Sequence, residues 1–466
     1  MRTAPPALPG SHVTDSPLDR ALALMLAGER ESALRWSAAV VQQDGSVPSA
    51  LILTCRLLAD MGRTEAAIEG LKLGVKRSID AGNLPLAVAA VADLRALGIA
   101  TDEYFDDIAA AFCLGSSRLT DTAAPPPPPL PHDVEFQPLS SFLTGPALLS
   151  KATAIVHEAS KQYESLEESE PPLISPLPLF SSLEKEGLRA LVATFEMITV
   201  PAGKAVIEEG QEGAEAYIVA RGELEVRRES GGPRSQSADG GRDSDAPQLS
   251  ITLARLTNGA LFGEMALLSR APRAASVVAN RPSILLVARR DALEAVAEKR
   301  PEVGAELAAH CRRRMVANLI RTSPVLLAVD ASSRPALVER FETRIFEKGE
   351  KLIEEGTEPD GMHLIASGEV AVVGHESGEP FVIATLGVGD VAGEVGVILR
   401  RKANMDVVAV HPTVTLFLPR ADFIDLIGQY PAMLAGLYLL AIERDEETST
   451  VFATTTTAVA EDYVLV

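Results

Sequence analysis

The chain has 466 residues, 47% hydrophobic and 23% charged, which gives room for about three domains of roughly 150 residues and enough apolar matter for real cores; one globule or a wholly disordered chain is not expected. Its 43 Lys and Arg against 64 Asp and Glu leave a net charge of −21, which excludes a general electrostatic pull toward phosphate backbones or anionic lipid. No apolar run reaches the ~18 to 20 residues that cross a bilayer. The first twenty residues are broken by Pro5, Pro6, Pro9 and Pro17 and lack the apolar centre of a signal peptide. The expectation is a cytoplasmic protein with neither a membrane nor a nucleic acid as partner. Cys55, Cys113 and Cys311 are odd in number and far apart, so they suit neither a disulfide framework nor a CxxC metal site.

In chain order, residues 18–115 come first. Apolar residues recur there at three- and four-residue spacing, for example Leu51, Leu53, Leu57, Leu58 and Met61, which predicts helices. Gly28 and Gly62, Glu31 and Glu65, and Ala33 and Ala67 are each 34 apart. A helical hairpin needs glycine at its turn, an acid in the first turn of its second helix and a small residue where helices meet. The period resembles that of tetratricopeptide repeats over about two units, with an ordinary alanine-rich bundle as the other reading. Both imply protein contact, and this helical region is where an unidentified protein partner is expected. Residues 116–172 carry the proline run Pro125 to Pro129 and an acidic stretch ending Glu167-Glu168-Ser169-Glu170, a spacer interrupted by one helix near residues 145–165.

Beyond it lies a stronger repeat. Phe195-Glu196 matches Phe341-Glu342, Ile207-Glu208-Glu209-Gly210 matches Ile353-Glu354-Glu355-Gly356, and Gly222-Glu223 matches Gly368-Glu369, all 146 apart. Gly263-Glu264 then matches Gly393-Glu394 at an offset of 130, so the first copy holds 16 extra residues. They fall in the Ser-, Gly- and Asp-rich stretch 229–247, expected as a long solvated hairpin loop. Each copy has a short helical segment (183–194 and 333–340), then short β-favouring runs punctuated by glycine, then helical spacing again (291–320 and 425–446). The expected fold is α+β and multidomain: N-terminal α-helical hairpins, then two small antiparallel β-barrel or jelly-roll domains with flanking helices, at residues 173–320 and 321–446, and a tail at 447–466.

The most informative segment runs Leu261-Phe262-Gly263-Glu264-Met265-Ala266-Leu267-Leu268-Ser269-Arg270-Ala271-Pro272-Arg273-Ala274-Ala275-Ser276-Val277. Gly263 lets the chain approach a ligand closely, and a single helical turn after it has free N–H groups for an anion. Arg273 brings a planar cation that can hold phosphate oxygens in a bidentate way, and Glu264 is an acceptor for hydroxyls. The bland alternative pairs Glu264 with Arg273 on a surface loop, a contact worth ~0 to 1 kcal/mol.

This segment resembles the phosphate-binding cassette of cyclic nucleotide-binding domains, and Gly203, Glu209-Gly210, Gly213 and Gly222-Glu223-Leu224-Glu225-Val226 fit the same family over residues 177–320. The resemblance implies a cyclic nucleotide as ligand, with no other cofactor. It implies Arg273 on the cyclic phosphate, Glu264 on the ribose 2′-hydroxyl, amides at Ala266 and Ala274 completing the cradle, and Phe262, Gly263 and Ala275 framing it. In the family a Thr or Ser after the arginine favours guanine. Here Ala274 and Ala275 follow, so cyclic AMP is expected, with cyclic GMP as the alternative. The resemblance also implies a lid, drawn from the helix at 302–320 through Met315 or Leu319. In the second copy Ala403 stands at the place of Arg273 and Ala392 at that of Phe262; Asp406 adds a negative charge near the supposed phosphate, and Arg401 and Lys402 are displaced cations.

The seven histidines form no metal spacing, and no Walker loop, kinase motif or nucleophile elbow occurs; no enzyme is expected. Two functions stay open: a cyclic-nucleotide receptor and signalling adaptor that changes protein contacts on binding, and a non-binding interaction scaffold on degenerate copies of the fold. A transcription factor of the same family is disfavoured by the acidic balance and the missing reader helix.

Overall fold

The computed structural model describes residues 16–121, 136–165, 171–229, 250–265, 267, 272–327, 330, 337, 339–376, 379–429, 435, 437–439, 442 and 444. The proline run, nearly all of the insert 229–247, most of 333–340, most of the helical stretch after residue 429, and the tail lie outside these. The described residues form two compact bodies. One takes those within Met1–Glu208, Glu215–Gly263 and Ala275–Leu307, and the other those within Glu209–Ala214, Glu264–Ala274 and Ala308–Val466.

The first body opens with six helices: α1 Pro17–Leu26, α2 Arg30–Gln43, α3 Pro48–Asp60, α4 Thr64–Asp80, α5 Leu84–Ala96 and α6 Asp102–Phe112. Ser16 caps α1 by accepting from the Asp19 amide at 3.2 Å, with proline at the first helical position. Three hairpins turn at Gly28, Gly62 and Gly98, with φ of +83°, +85° and +80°, where a side chain would be strained. Helix α7, Gly145–Glu164, packs on α2, α3 and α4, close to the helix expected there.

Helix α5 is apolar nearly all round, with Leu84 to Val91 buried without a break. Such a helix needs cover on every side: α4 lies on one flank and strands of the first copy on another. Asp19 of α1, 2% exposed, sits between two buried arginines of the sandwich, accepting from Arg221 at 2.7 Å and Arg281 at 3.1 Å. A buried carboxylate is tolerated only when paired in this way.

That sandwich consists of β1 Glu196–Val200, β2 Ala205–Ile207, β3 Glu215–Arg221, β4 Leu224–Glu229, β5 Ser250–Leu256, β6 Leu261–Phe262, β7 Ser276–Ala279 and β8 Ser283–Arg289. It makes two antiparallel sheets, ordered β1-β8-β3-β6 and β2-β7-β4-β5. Val219 and Leu285 of one sheet meet Ile207, Leu224, Leu256 and Val277 of the other in a shared core. The helix α8, Lys185–Val192, precedes it; α9, Arg290–Lys299, and α10, Pro301–Thr322, follow.

The second body repeats the sandwich with β9 Glu342–Phe346, β10 Lys351–Ile353, β11 Gly361–Ser367, β12 Val370–Glu376, β13 Glu379–Leu386, β14 Val391–Ala392, β15 Asp406–Ala409 and β16 Thr413–Pro419. Its sheets run β9-β16-β11-β14 and β10-β15-β12-β13, the same order strand for strand. Among the described strands neither copy closes into a barrel; each is a two-sheet sandwich. Helices α11, Pro324–Leu327, α12, Glu394–Leu399, and α13, Arg420–Gln429, are the remaining described α-helices. A core of Leu326, Met362, Leu364, Leu416, Leu418, Phe423 and Leu426 seals the sheet of β11 and β16 against its helices.

Candidate functional site

Phe262 closes β6, buried, with its ring stacked on Tyr217 of β3 at 5.2 Å between centroids. Gly263 turns the chain at φ +76°. Glu264 follows, 4% exposed, and its carboxylate accepts from Arg314 of α10 at 2.9 Å. Burial pushes the Glu264 carboxyl up, while the charges of Arg314 and, less strongly, Arg273 pull it back. Glu264 is therefore buried against a helix residue and does not sit on a surface loop. The thiol of Cys311, one helical turn from Arg314, donates to the Glu264 carbonyl at 3.7 Å, and burial, with Glu264 nearby, pushes its pKa up to about 12, so it stays protonated.

Arg273 is buried and gripped by the loop before β3. Its amide donates to the Gln211 carbonyl at 2.9 Å, and its carbonyl accepts from Gly210 at 2.8 Å. Its guanidinium lies against Gly213, so closely that a Cβ there would overlap it. Ala274 is exposed and Ala275 half-buried, while Ala266 lies outside the described residues. Met315 and Leu319, expected as lid residues, are instead fully committed to the core of the second body with Phe341 and Leu416. An apolar side chain with that much buried area has no reason to leave it for a ligand.

The same backbone frame recurs in the second copy. Ala403 donates to the Thr357 carbonyl at 2.8 Å and accepts from Gly356 at 2.7 Å, so it occupies the station of Arg273 bond for bond. Glu394, 1% exposed, accepts from Arg444 at 2.6 Å. Where the first copy has Gly213, the second has Pro359, whose ring fills the space beside Gly396. Asp406 is buried but committed. Burial works against its charge, yet Lys351 at 2.8 Å and the Glu355 amide at 2.8 Å hold its carboxyl below the usual range. Arg401 and Lys402 are exposed.

Against known proteins, the family model described as cyclic nucleotide-binding domain matches residues 197–300 and again 343–430. The chain carries two tandem cyclic nucleotide-binding domains. Among curated relatives, it is 30% identical over 254 residues to the cAMP-dependent protein kinase regulatory subunit of Yarrowia lipolytica, covering 53% of this chain and 57% of that one. It is 28% identical over 279 residues to the type II regulatory subunit of Drosophila melanogaster, covering 59% and 65%. The chain thus spans about three fifths of the length of these relatives. Among solved structures, the cAMP-bound regulatory domain of Toxoplasma gondii PKA is 24% identical, covering 57% of this chain and 92% of that one, with a TM-score of 0.27.

Sequence reasoning about the two cyclic nucleotide-binding domains missed Arg314, Arg444 and Pro359. All three carried a signal. Arg314 and Arg444 are 130 apart, the offset of Glu264 and Glu394, and Gly213 and Pro359 are 146 apart, the offset of the turns around them. Nothing signalled His363, which is 1% exposed on β11 and shares a 3.0 Å hydrogen bond with Thr415. Burial, with Arg344 nearby, pushes its pKa down to about 4. Among the described residues no group of His, Cys, Asp and Glu is placed to hold a metal ion, and no helix is long and apolar enough to cross a membrane.

Proposed function

We propose that the protein is a cyclic-nucleotide receptor and signalling adaptor in which the first domain takes the ligand and a change of protein contacts is the output. The observation that carries this reading is Arg273, whose main-chain amide and carbonyl are both hydrogen-bonded to the Gly210-Gln211 turn and whose guanidinium is seated on a glycine that leaves it room. A planar cation in a fixed frame suits the two exocyclic oxygens of a cyclic phosphate. Glu264 then takes the ribose hydroxyl, with Phe262, Gly263, Ala266, Ala274 and Ala275 framing the cassette. With alanines after the arginine, cyclic AMP is preferred over cyclic GMP.

The relatives are regulatory subunits of a kinase. By that likeness the chain acts on another protein from the cytoplasm, with no catalysis of its own and no nucleic acid or membrane involved; the helical region, read as tetratricopeptide-like, supplies the contact. In place of a lid built on Met315 and Leu319, α10 takes part through Arg314. A ligand that competes for Glu264 shifts this helix only by its differential affinity for the two states. The second domain, with Ala403 in place of the arginine, favours the scaffold reading for that copy alone and serves as relay and contact surface. Calorimetric titration of the whole chain with cyclic AMP and with cyclic GMP tests the proposal. One nucleotide bound per chain, tighter for cyclic AMP and lost in Arg273→Ala, is expected; no heat with either nucleotide overturns it.

A further inference from the structure

Helix α7 belongs to the first body and packs on α2, α3 and α4. Leu119 and Ile174 form a parallel bridge; the Thr120 amide donates to the Ile174 carbonyl at 2.9 Å and the Ile174 amide to the Arg118 carbonyl at 2.8 Å. The bridge brings together the chain before and after α7, and the array α1 to α6 is continuous in the chain without α7. One side of that array is already taken, since α1 and α5 engage the first sandwich. The side formed by α2, α3 and α4 is covered by α7.

The cover fits a groove shaped for a helix. Gly70 of α4 forms its floor; a methyl group there would overlap Cys55 Sγ and come within 2.6 Å of Val156 Cγ1. Into it α7 lays the buried seam Leu148, Ala152, Ile155, Val156 and Ala159, the spacing of one amphipathic face. Much of the polar recognition reads main chain, which any helix carries. Glu31 accepts from the Gly145 amide at 3.0 Å, and Arg77 donates to the Ala159 carbonyl at 3.1 Å. Two side-chain contacts set chemistry: His157 against Glu69 at 3.0 Å, and the Tyr163 hydroxyl donating to Asp80 at 2.6 Å. Most of a helix's stability in a protein comes from packing its amphipathic face, so docking holds α7 helical.

We infer that the groove of α2, α3 and α4 is a docking site for an amphipathic helix of a partner protein, covered in this chain by α7 as its own surrogate. The partner helix has about five turns, apolar or small residues along one seam, and donor side chains opposite Glu69 and Asp80. Recognition in the helix-in-groove manner needs these and no more. The inference does not depend on nucleotide binding.

The test uses the full chain carrying Val156→Asp, which weakens α7 and leaves every groove residue intact, and a fluorescent synthetic peptide of residues 144–165. By anisotropy the peptide binds the folded variant at least tenfold more tightly than the parent chain, and a peptide carrying the same Val156→Asp change binds neither. A folded variant that ignores the parent peptide, or a parent chain that binds it equally well, overturns the inference. Hydrogen exchange on the unmodified chain gives a second reading independent of the variant's folding. Amides of α7 exchange at least tenfold faster than those of α4 if α7 detaches as a unit; equal protection shows an integral helix and overturns the inference as well.

Discussion

The two cassettes share a backbone and differ in what it carries. Gly210, Gln211 and Arg273 in the first domain, and Gly356, Thr357 and Ala403 in the second, make the same pair of main-chain hydrogen bonds. Each cassette glutamate is buried against an arginine from a helix further along the chain. The frame therefore does not need the phosphate-reading arginine. A fold can be kept by its turns and buried pairs while the ligand group drifts, and in the second domain the drift has two linked parts: the arginine is gone, and a proline stands where the guanidinium would rest.

Turning the first cassette into the second is the largest test. Arg273→Ala should lower affinity for cyclic AMP by ~2 to 5 kcal/mol, about one and a half to three and a half decades, with unchanged melting of the apo chain, because Ala403 shows the frame holding an alanine. A mutant within threefold of the parent by calorimetry breaks the comparison. The reverse change is asymmetric. Ala403→Arg alone should bind nothing new and cost ~1 to 3 kcal/mol in denaturant unfolding through overpacking against Pro359, whereas Ala403→Arg with Pro359→Gly should relieve that cost and add a second binding event. New binding by the single variant would show that Pro359 is no obstacle.

The interiors differ as well. His363 takes the β11 station that Tyr217 holds on β3, and its pKa is pushed from 6.5 to about 4 by burial. An unfolded imidazole binds a proton below pH ~6.5 while the folded one refuses it until about 4, so stability present above 6.5 is lost as pH falls through that window. Between pH 7 and pH 5 this amounts to about 2 kcal/mol for the second domain. Urea unfolding at the two pH values should show that difference shrink in His363→Gln, and an unchanged slope contradicts it. The smallest effect is expected from Gly213→Ala. The added methyl displaces the guanidinium of Arg273, a movable group, so folding should change little while nucleotide affinity falls about tenfold, or ~1.4 kcal/mol. Equal affinity in the variant would mean that the seat on Gly213 does not position Arg273.

Much of this was legible in the residues. The offsets of 146 and 130 anticipated two copies of one domain, and the hairpin glycines 28 and 62 anticipated helical turns that the structure contains. The loss at Ala403 was visible because a cassette is local in sequence. Arg314 was not seen because a buried carboxylate chooses its partner in space, fifty residues on, and only the repeat offset to Arg444, not a local motif, marked the choice. Met315 and Leu319 misled for a related reason: an apolar residue on a helix looks alike whether it covers a ligand or a core. The Asp19 pairing, across 202 and 262 residues, had no sequence signal at all.

That pairing sets an order of events during synthesis. The six N-terminal helices are complete at Phe112, but the arginines that receive Asp19 arrive only with residues 221 and 281. At ~5 to 20 residues per second the last of them emerges roughly 10 to 30 s later. Throughout that interval α5 presents to water the apolar flank the sandwich will cover, and Asp19 remains hydrated. The first body is therefore sealed late and from a distance, and a ribosome that stalls before codon 281 leaves behind a helical fragment with the apolar flank of α5 open.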